Sequence, residues 1–216
     1  KINGACVTAG FMVLGPIQNN VYFITDGAAT FVVDPTCDPD ALVEALGGVK
    51  LDAIVITHRH YDHIGAAARL AQRTGATVIA SEIDAPYIAG ELPDPDGHPG
   101  SDPCPVDQRV SDGDVVQLGG MAWRVISTPG HTPGSMCLFL DPRFGSDAAG
   151  APLLISGDTL FCGSIGRTDF AGGSMDDMRH SLKKLATLPD NTIVLPGHND
   201  LTTIAAERER TFAYYA

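Results

Sequence analysis

Thr57-His58-Arg59-His60-Tyr61-Asp62-His63 gathers three histidines and one aspartate into one short stretch. Just before it, Asp52-Ala53-Ile54-Val55-Ile56-Thr57 is a β-branched run bounded by polar residues, which reads as a buried strand parallel to a neighbour. Just after it, Ala66 to Arg73 is rich in good helix formers and stops at Gly75, so a helix is expected there. The cluster therefore lies where a strand ends and a helix begins, and the turning backbone can fan its side chains inward. Neutral imidazole and carboxylate are the usual ligands of catalytic zinc, and of iron or manganese.

Similar donors recur further along the chain, each just past a short strand in a glycine-containing turn: Pro129-Gly130-His131, Ser156-Gly157-Asp158 and Pro196-Gly197-His198. Glycine allows close backbone approach to a pocket. Of the 7 histidines, only His98 and His180 fall outside these elements. A lone histidine at a strand end is more often a surface or hydrogen-bonded residue. The four elements in this order point to a two-metal site, which needs about seven to eight protein donors. His58, His60, Asp62, His63, His131, Asp158 and His198 supply them.

The rest of the chain fits around this set. Phe11 to Leu14 reads as a strand, and Val21 to Ile24 and Thr30 to Val33 flank an Asp26-Gly27 hairpin turn. Pro39 to Leu46 reads as a helix capped by Asp38 and stopped by Gly47. Val78 to Ala80 is a further strand and Glu82 to Ala89 a short helix, followed by a Pro-, Gly- and Asp-rich loop at 90–107. Strands at 115–118, 123–126, 136–140, 153–155 and 193–195 follow, with helices at 175–188 and 202–214. Two strand-rich blocks with helices and no linker between them predict sheet packed on sheet with helices outside.

Bulk composition agrees. The 216 residues are 44% hydrophobic and 19% charged, enough to bury a core. A formal net charge of −12 argues against nucleic acid as a partner. No apolar run suits a membrane span, and no basic region followed by an apolar run marks a signal peptide. The 5 cysteines, Cys6, Cys37, Cys104, Cys137 and Cys162, are odd in number, widely spaced and without a CxxC pair. They read as buried small hydrophobes of a reduced, cytoplasmic protein, with Cys162 of added interest because it follows Asp158 closely.

These residues resemble the metallo-β-lactamase-fold hydrolases, whose mark is HxHxDH followed by His, Asp and His, and the resemblance covers nearly the whole chain. It implies an α+β fold: a four-layer αββα sandwich, two mixed β-sheets flanked by helices, forming one domain over 1–216 with the site at one edge of the sheets. It implies two divalent metal ions, zinc first, with iron or manganese as alternatives. His58, His60 and His131 would hold the first, Asp62, His63 and His198 the second, and Asp158 would bridge them. Asp34 matches a family position that supports the ligands from behind.

Two stretches narrow the resemblance: Gly157-Asp158-Thr159-Leu160-Phe161 with Gly163-Ser164-Ile165-Gly166-Arg167-Thr168-Asp169-Phe170, and Pro196-Gly197-His198 with Leu201-Thr202-Thr203-Ile204 and Glu207-Arg208. Both look like glyoxalase II-like hydrolases of thioesters such as S-lactoylglutathione, in their short bacterial form. Too few residues follow His198 for the helical extension that holds glutathione in longer members, so the thiol carrier stays open. Asp158 stands where many β-lactamases of the fold carry Cys, which argues against a β-lactam. The expected chemistry is attack on a thioester carbonyl by a metal-bridging hydroxide, with Asp158 and Asp62 as catalytic carboxylates. Arg167 is a candidate contact for an anionic substrate group or a partner of Asp169, and Tyr22 and Tyr87 are candidates to line the pocket. The expected partner is a small-molecule thioester, with no nucleic acid, no membrane and the oligomeric state open.

Gly166 to Phe170 also looks like the persulfide dioxygenases of the same fold, which use one iron, here at His58, His131 and Asp158. Other hydrolyses of the fold (a lactone, a β-lactam) and a non-catalytic metal-binding module are the remaining alternatives.

Overall fold

The computed structural model describes residues 2–4, 7–98, 101–141 and 150–216. At its centre the strand Ala53–Ile56 (β5) is buried along its whole length. It pairs in parallel with Thr30–Val33 (β4) and with Thr77–Ser81 (β6). A strand covered on both faces needs apolar side chains at successive positions, which explains the unbroken Ala-Ile-Val-Ile run. Around this parallel core, Ile2–Gly4 (β1), Val7–Leu14 (β2), Asn19–Thr25 (β3) and Gln108–Val110 (β7) complete a seven-stranded sheet in the order β1 to β7.

The second sheet has six strands. Val115–Leu118 (β8), Met121–Ser127 (β9), Met136–Leu140 (β10) and Leu153–Gly157 (β11) pair antiparallel in sequence. Ile193–Pro196 (β14) then lies parallel to β11, with Thr202–Thr203 (β15) at the edge. Leu160–Phe161 (β12) and Ser164–Ile165 (β13) form a separate small ribbon.

Three apolar clusters account for the layers. Phe31, Val33 and Val55 of the first sheet meet Trp123, Val125 and Ile155 of the second. The alternate residues Val32, Ile54 and Ile56 pack instead with Leu42, Leu46, Leu70 and Ile88. These come from the helices Pro39–Leu46 (α1), Ala67–Thr74 (α3) and Ala85–Ile88 (α4); the short Tyr61–Ile64 (α2) precedes α3. On the far side, Ile126, Leu154 and Val194 pack with Met178, Leu182 and Leu185 of Met175–Leu185 (α5). Opposite faces of each strand thus serve different cores, as the period of two requires. The expected αββα sandwich of two mixed sheets is the observed one.

Local signals hold in detail for α1, where Asp38 accepts a hydrogen bond from the Ala41 amide and Gly47 closes the helix at φ 58°. The expected helix over 82–89 contracts to α4, and that over 175–188 ends at Leu185. The expected helix over 202–214 does not form as one element. The β-branched Thr202 and Thr203 pair with β14, and Thr203 then caps a fresh helix, Ile204–Glu207 (α6), by accepting from the Ala206 amide. A π-turn at Arg208–Phe212 and the short Ala213–Tyr215 (α7) follow. Buried Glu207 knits this segment together, accepting from Thr202 Oγ1 at 2.6 Å, Thr211 Oγ1 at 2.5 Å and the Gly163 amide of the β12–β13 turn at 2.9 Å. The short strands β7, β12 and β13 were not expected, being too brief to show a period.

Among the described cysteines only Cys104 and Cys137 are buried, and burial pushes both thiols up to about 11. Cys37 and Cys162 are half-exposed and so depart from the expectation of buried residues, while Cys6 lies outside the described residues. No helix among the described residues is long and apolar enough to cross a membrane.

Trp123 is fully buried and meets Phe31 of the opposite sheet edge-to-face, with ring centroids 5.5 Å apart. Its indole nitrogen has no partner. Trp123→Ala should therefore cost about 3–5 kcal/mol in urea unfolding followed by circular dichroism. Trp123→Phe should cost clearly less, because it keeps a ring in the core and removes the orphaned N–H. Equal losses in the two variants would contradict this account of the inter-sheet core.

Candidate metal centre

Strand direction collects the donors. In the first sheet, β4 and β5 are parallel and end at Asp34 and at Thr57-His58. In the second, β9 and β11 are both antiparallel to β10, and β14 is parallel to β11. Those three strands therefore run the same way and lead into His131, Asp158 and His198. The HxHxDH stretch turns from β5 into α2, with His60 extended (φ −63°, ψ 143°) at the helix start.

Two groups of three donors result. Nitrogens of His58, His60 and His131 lie within 4.8 Å of one another, and so do the donor atoms of Asp62, His63 and His198. Asp158 reaches both groups. Its Oδ1 is 3.4 Å from His63 Nε2, and its Oδ2 is 3.5 Å from both His131 Nε2 and His198 Nε2. His58 Nε2 and Asp158 Oδ1 are buried without a hydrogen-bond partner. Buried ligand atoms left without hydrogen bonds within a cluster of imidazole nitrogens and carboxylate oxygens are what a divalent ion satisfies. The residues present fit a metal centre.

The outward-facing ring atoms are anchored. His58 Nδ1 lies 3.0 Å from Thr57 Oγ1, His63 Nδ1 2.9 Å from Asp34 Oδ2, His131 Nδ1 2.7 Å from the Arg167 carbonyl and His198 Nδ1 3.1 Å from the Ile17 carbonyl. Such contacts fix ring orientation and tautomer. Asp34 does more than this. Its carboxylate also accepts from the Thr57 amide at 2.8 Å and from Thr57 Oγ1 at 2.7 Å. It does so from a left-handed backbone, φ 50°, a conformation Asp tolerates better than most residues.

The two groups differ electrostatically. Burial, reinforced by neighbouring imidazoles, pushes His58 well below its ordinary value and His60 down to about 3. Their nitrogens carry lone pairs at neutral pH. In the other group burial is outweighed by carboxylates. Asp158 and Asp34 hold His63 well above its ordinary value, and Asp158 and Asp62 raise His198 to about 9. Against the same burial, His198 and His63 hold the Asp62 and Asp158 carboxyls well below the usual range.

The donors open onto a cavity of about 420 Å³ walled by Ile17, Tyr61, His98, Phe161, Ile165, Arg167 and Phe170. Arg167 stands at this wall, ion-paired with Asp169 at 2.7 Å and laid over the Phe170 ring at 4.4 Å. Tyr22 does not line it. Its ring is in the inter-sheet core, and its hydroxyl donates to the Pro196 carbonyl at 2.7 Å, so it steadies the turn that carries His198. Tyr87 lies one hollow away, facing the Arg59 guanidinium at 4.9 Å. His98, which falls outside the sequence elements of the site, belongs to the wall and stacks on Tyr61 at 4.7 Å.

Three supporting residues escaped the sequence reading. Asn19 donates to Asp62 Oδ2 at 2.8 Å. Fully buried Asp84 accepts from the Arg59 amide, Arg59 Nη1 and Thr132 Oγ1, bracing the HxHxDH turn against the His131 turn. Asp96 sits behind His60. Asn19 opens β3 and the two acids lie in turns, so only the unusual density of acids in 90–107 offered a signal.

Asp34→Ala should leave three buried donors without an acceptor. An unfolding loss of about 3 kcal/mol or more is expected in urea titration, and a loss within about 0.5 kcal/mol would contradict the role given to Asp34.

Comparison with known proteins gives the family. The family model of the metallo-beta-lactamase superfamily matches residues 14–198. The hydroxyacylglutathione hydrolase GloC of Haemophilus influenzae is 30% identical over 198 residues, 88% of this chain and 90% of that protein. Among solved structures, the B3 metallo-beta-lactamase BLEG-1 superposes with a TM-score of 0.81 at 31% identity, covering 95% of this chain and 99% of that one. TTHA1623 in a di-iron-bound form gives 0.77 at 32% identity, covering 93% and 98%. The chain belongs to the metallo-β-lactamase superfamily, as a metallo-hydrolase of that fold.

Proposed function

We propose that residues 1–216 act as one binuclear hydrolase of small thioesters of the S-lactoylglutathione type. The observation that carries the reading is Asp158, whose carboxylate reaches both donor groups: Oδ1 lies 3.4 Å from His63 Nε2, and Oδ2 lies 3.5 Å from both His131 Nε2 and His198 Nε2. In this reading His58, His60 and His131 would hold one ion, Asp62, His63 and His198 the other, and Asp158 would serve both. Zinc fits the nitrogen-rich donor set, and iron is the alternative supported by the di-iron relative. The thioester is supported by the segment from Gly157 to Phe170 and by the likeness to the hydroxyacylglutathione hydrolase of Haemophilus influenzae.

Bound ions supply a nucleophilic water near neutral pH and an electrophilic contact for the carbonyl oxygen. The chain does the rest. Asp62, held by Asn19 and ionised at neutral pH, accepts a hydrogen bond from the attacking water and orients it. Phe161, Ile165 and Phe170 exclude bulk water from the acyl group. The water oxygen bonds to the carbonyl carbon and gives up its protons to solvent, the carbon–sulfur bond breaks, the acyl group departs as a carboxylate, and the thiolate leaves and is protonated from solvent. A thiol of pKa about 8.5 leaves without a strong general acid. Arg167, at the cavity wall, is placed to meet an anionic substrate group once its pairing with Asp169 is shared.

Elemental analysis of protein purified without added metal should give about two ions per chain. That protein should release thiol from an S-lactoyl thioester faster than it opens a lactone or a β-lactam. Chelation should abolish the release and re-addition of metal restore it. About one iron per chain, with oxygen uptake on a persulfide and no thiol release, would replace the thioester reading by the dioxygenase one.

Loading should also move protons unequally. His58 and His60 are already neutral at pH 7.5, whereas His63 and His198 are protonated in the metal-free chain, His198 up to about 9. Filling the Asp62–His63–His198 group must displace those protons, so its affinity falls as pH drops below that value, while the other group's changes little. Titration calorimetry in buffers of different ionisation enthalpy should show proton release confined to one of the two binding steps. Equal release in both steps would refute the assignment.

A further inference from the structure

Four of the five histidines in the centre have their second ring nitrogen within 3.1 Å of an oxygen: Thr57 Oγ1, Asp34 Oδ2, the Arg167 carbonyl and the Ile17 carbonyl. His60 is the exception. Its Nδ1 points into the donor group, 2.8 Å from His131 Nε2, and its Nε2 is buried with no hydrogen-bond partner. The acid facing that nitrogen is Asp96, whose Oδ2 lies 3.6 Å away and is itself buried and unpartnered. The Asp96 side chain is 8% exposed, and its other oxygen is committed, accepting from the Ala171 amide at 2.7 Å. Arg59 Nη2, 3.8 Å from the same Oδ2, brings a positive charge to that side of the carboxylate.

We infer that Asp96 is a positioning residue for the metal centre, accepting the Nε2–H of His60 when metal is bound and so holding Nδ1 as the ligating atom. Two buried unpartnered atoms, one a donor in the required tautomer and one an acceptor, lie less than 1 Å beyond hydrogen-bond distance. Closing that gap satisfies both and completes the anchoring already present at the other four rings. It also gives the 90–107 loop a task. Asp94 accepts from the amides of Asp96 and His98, forming the turn that presents Asp96 inward. Asp94, Asp96 and His98 lie close enough to suggest an ion site of their own. The Ala171 contact and the His60 approach use both Asp96 oxygens instead.

The inference rests on the proposed metal ligands, and the test separates the two. Asp96→Asn keeps the size and the acceptor for the Ala171 amide but turns a donor towards His60. Zinc affinity of the full chain, measured by competition with a chromogenic chelator, should fall about 10–100-fold in Asp96→Asn. In ¹⁵N-histidine-labelled zinc protein, the His60 Nε2–H resonance should be lost. Asp102→Ala, which changes an exposed residue of the same loop paired with Arg69 and leaves the Asp94 turn intact, should stay within about threefold of wild type in affinity and keep that resonance. If wild type binds no zinc, the metal reading itself falls. If wild type binds zinc and Asp96→Asn binds it equally well, or Asp102→Ala loses as much as Asp96→Asn, the role of Asp96 is overturned.

Discussion

The Asp34 carboxylate ties together the end of β4, the end of β5 and the His63 ring through hydrogen bonds of 2.7–2.9 Å to Thr57 and His63. Thr57 Oγ1 passes the constraint on to His58. One buried acid thereby orients a histidine in each donor group. The left-handed backbone at Asp34 is the conformational cost of aiming that carboxylate back across two parallel strands. Such strain persists because the inter-sheet core around Phe31, Val33 and Val55 leaves β4 nowhere else to go.

Crowding shapes the other turns. A Cβ at Gly197 would stand 2.3 Å from Asp158 Oδ1 and 2.8 Å from His63 Cε1. At Gly157, φ +47°, it would meet Thr57 Oγ1 at 2.5 Å. The glycine preceding Asp158 and the one preceding His198 are therefore more than turn formers. They let two sheet edges approach until their donors share one cavity, a separation that any side chain would widen.

Outside this rigid floor the walls come from irregular chain. The β12–β13 ribbon, held by the Gly163 contact to buried Glu207, supplies Phe161 and Ile165, and the following stretch supplies Arg167 and Phe170. The 90–98 segment supplies His98 and sets Asp96 behind His60. A floor fixed by strand ends and walls made by loops let a fold keep its metal chemistry while its substrate range varies.

How much of this was legible in the chain follows from the range of each interaction. The donor residues, their strand–turn settings and the sandwich were open to reading, because metal ligation needs particular side chains and the strands announce themselves by local apolar patterning. The sequence by itself thus determined which atoms are available to bind metal and on which elements they ride. The tertiary structure decided how those atoms are held. The anchors of His131 and His198 are backbone carbonyls, which every residue possesses and no motif records. Asn19, Asp84 and Asp96 act across sequence separations of 25 residues or more, with no period to betray them. Tyr22, open in the sequence to either a pocket or a core role, is a core residue, because a strand's alternation gives two faces and only the packing of the sheets says which one meets the cavity.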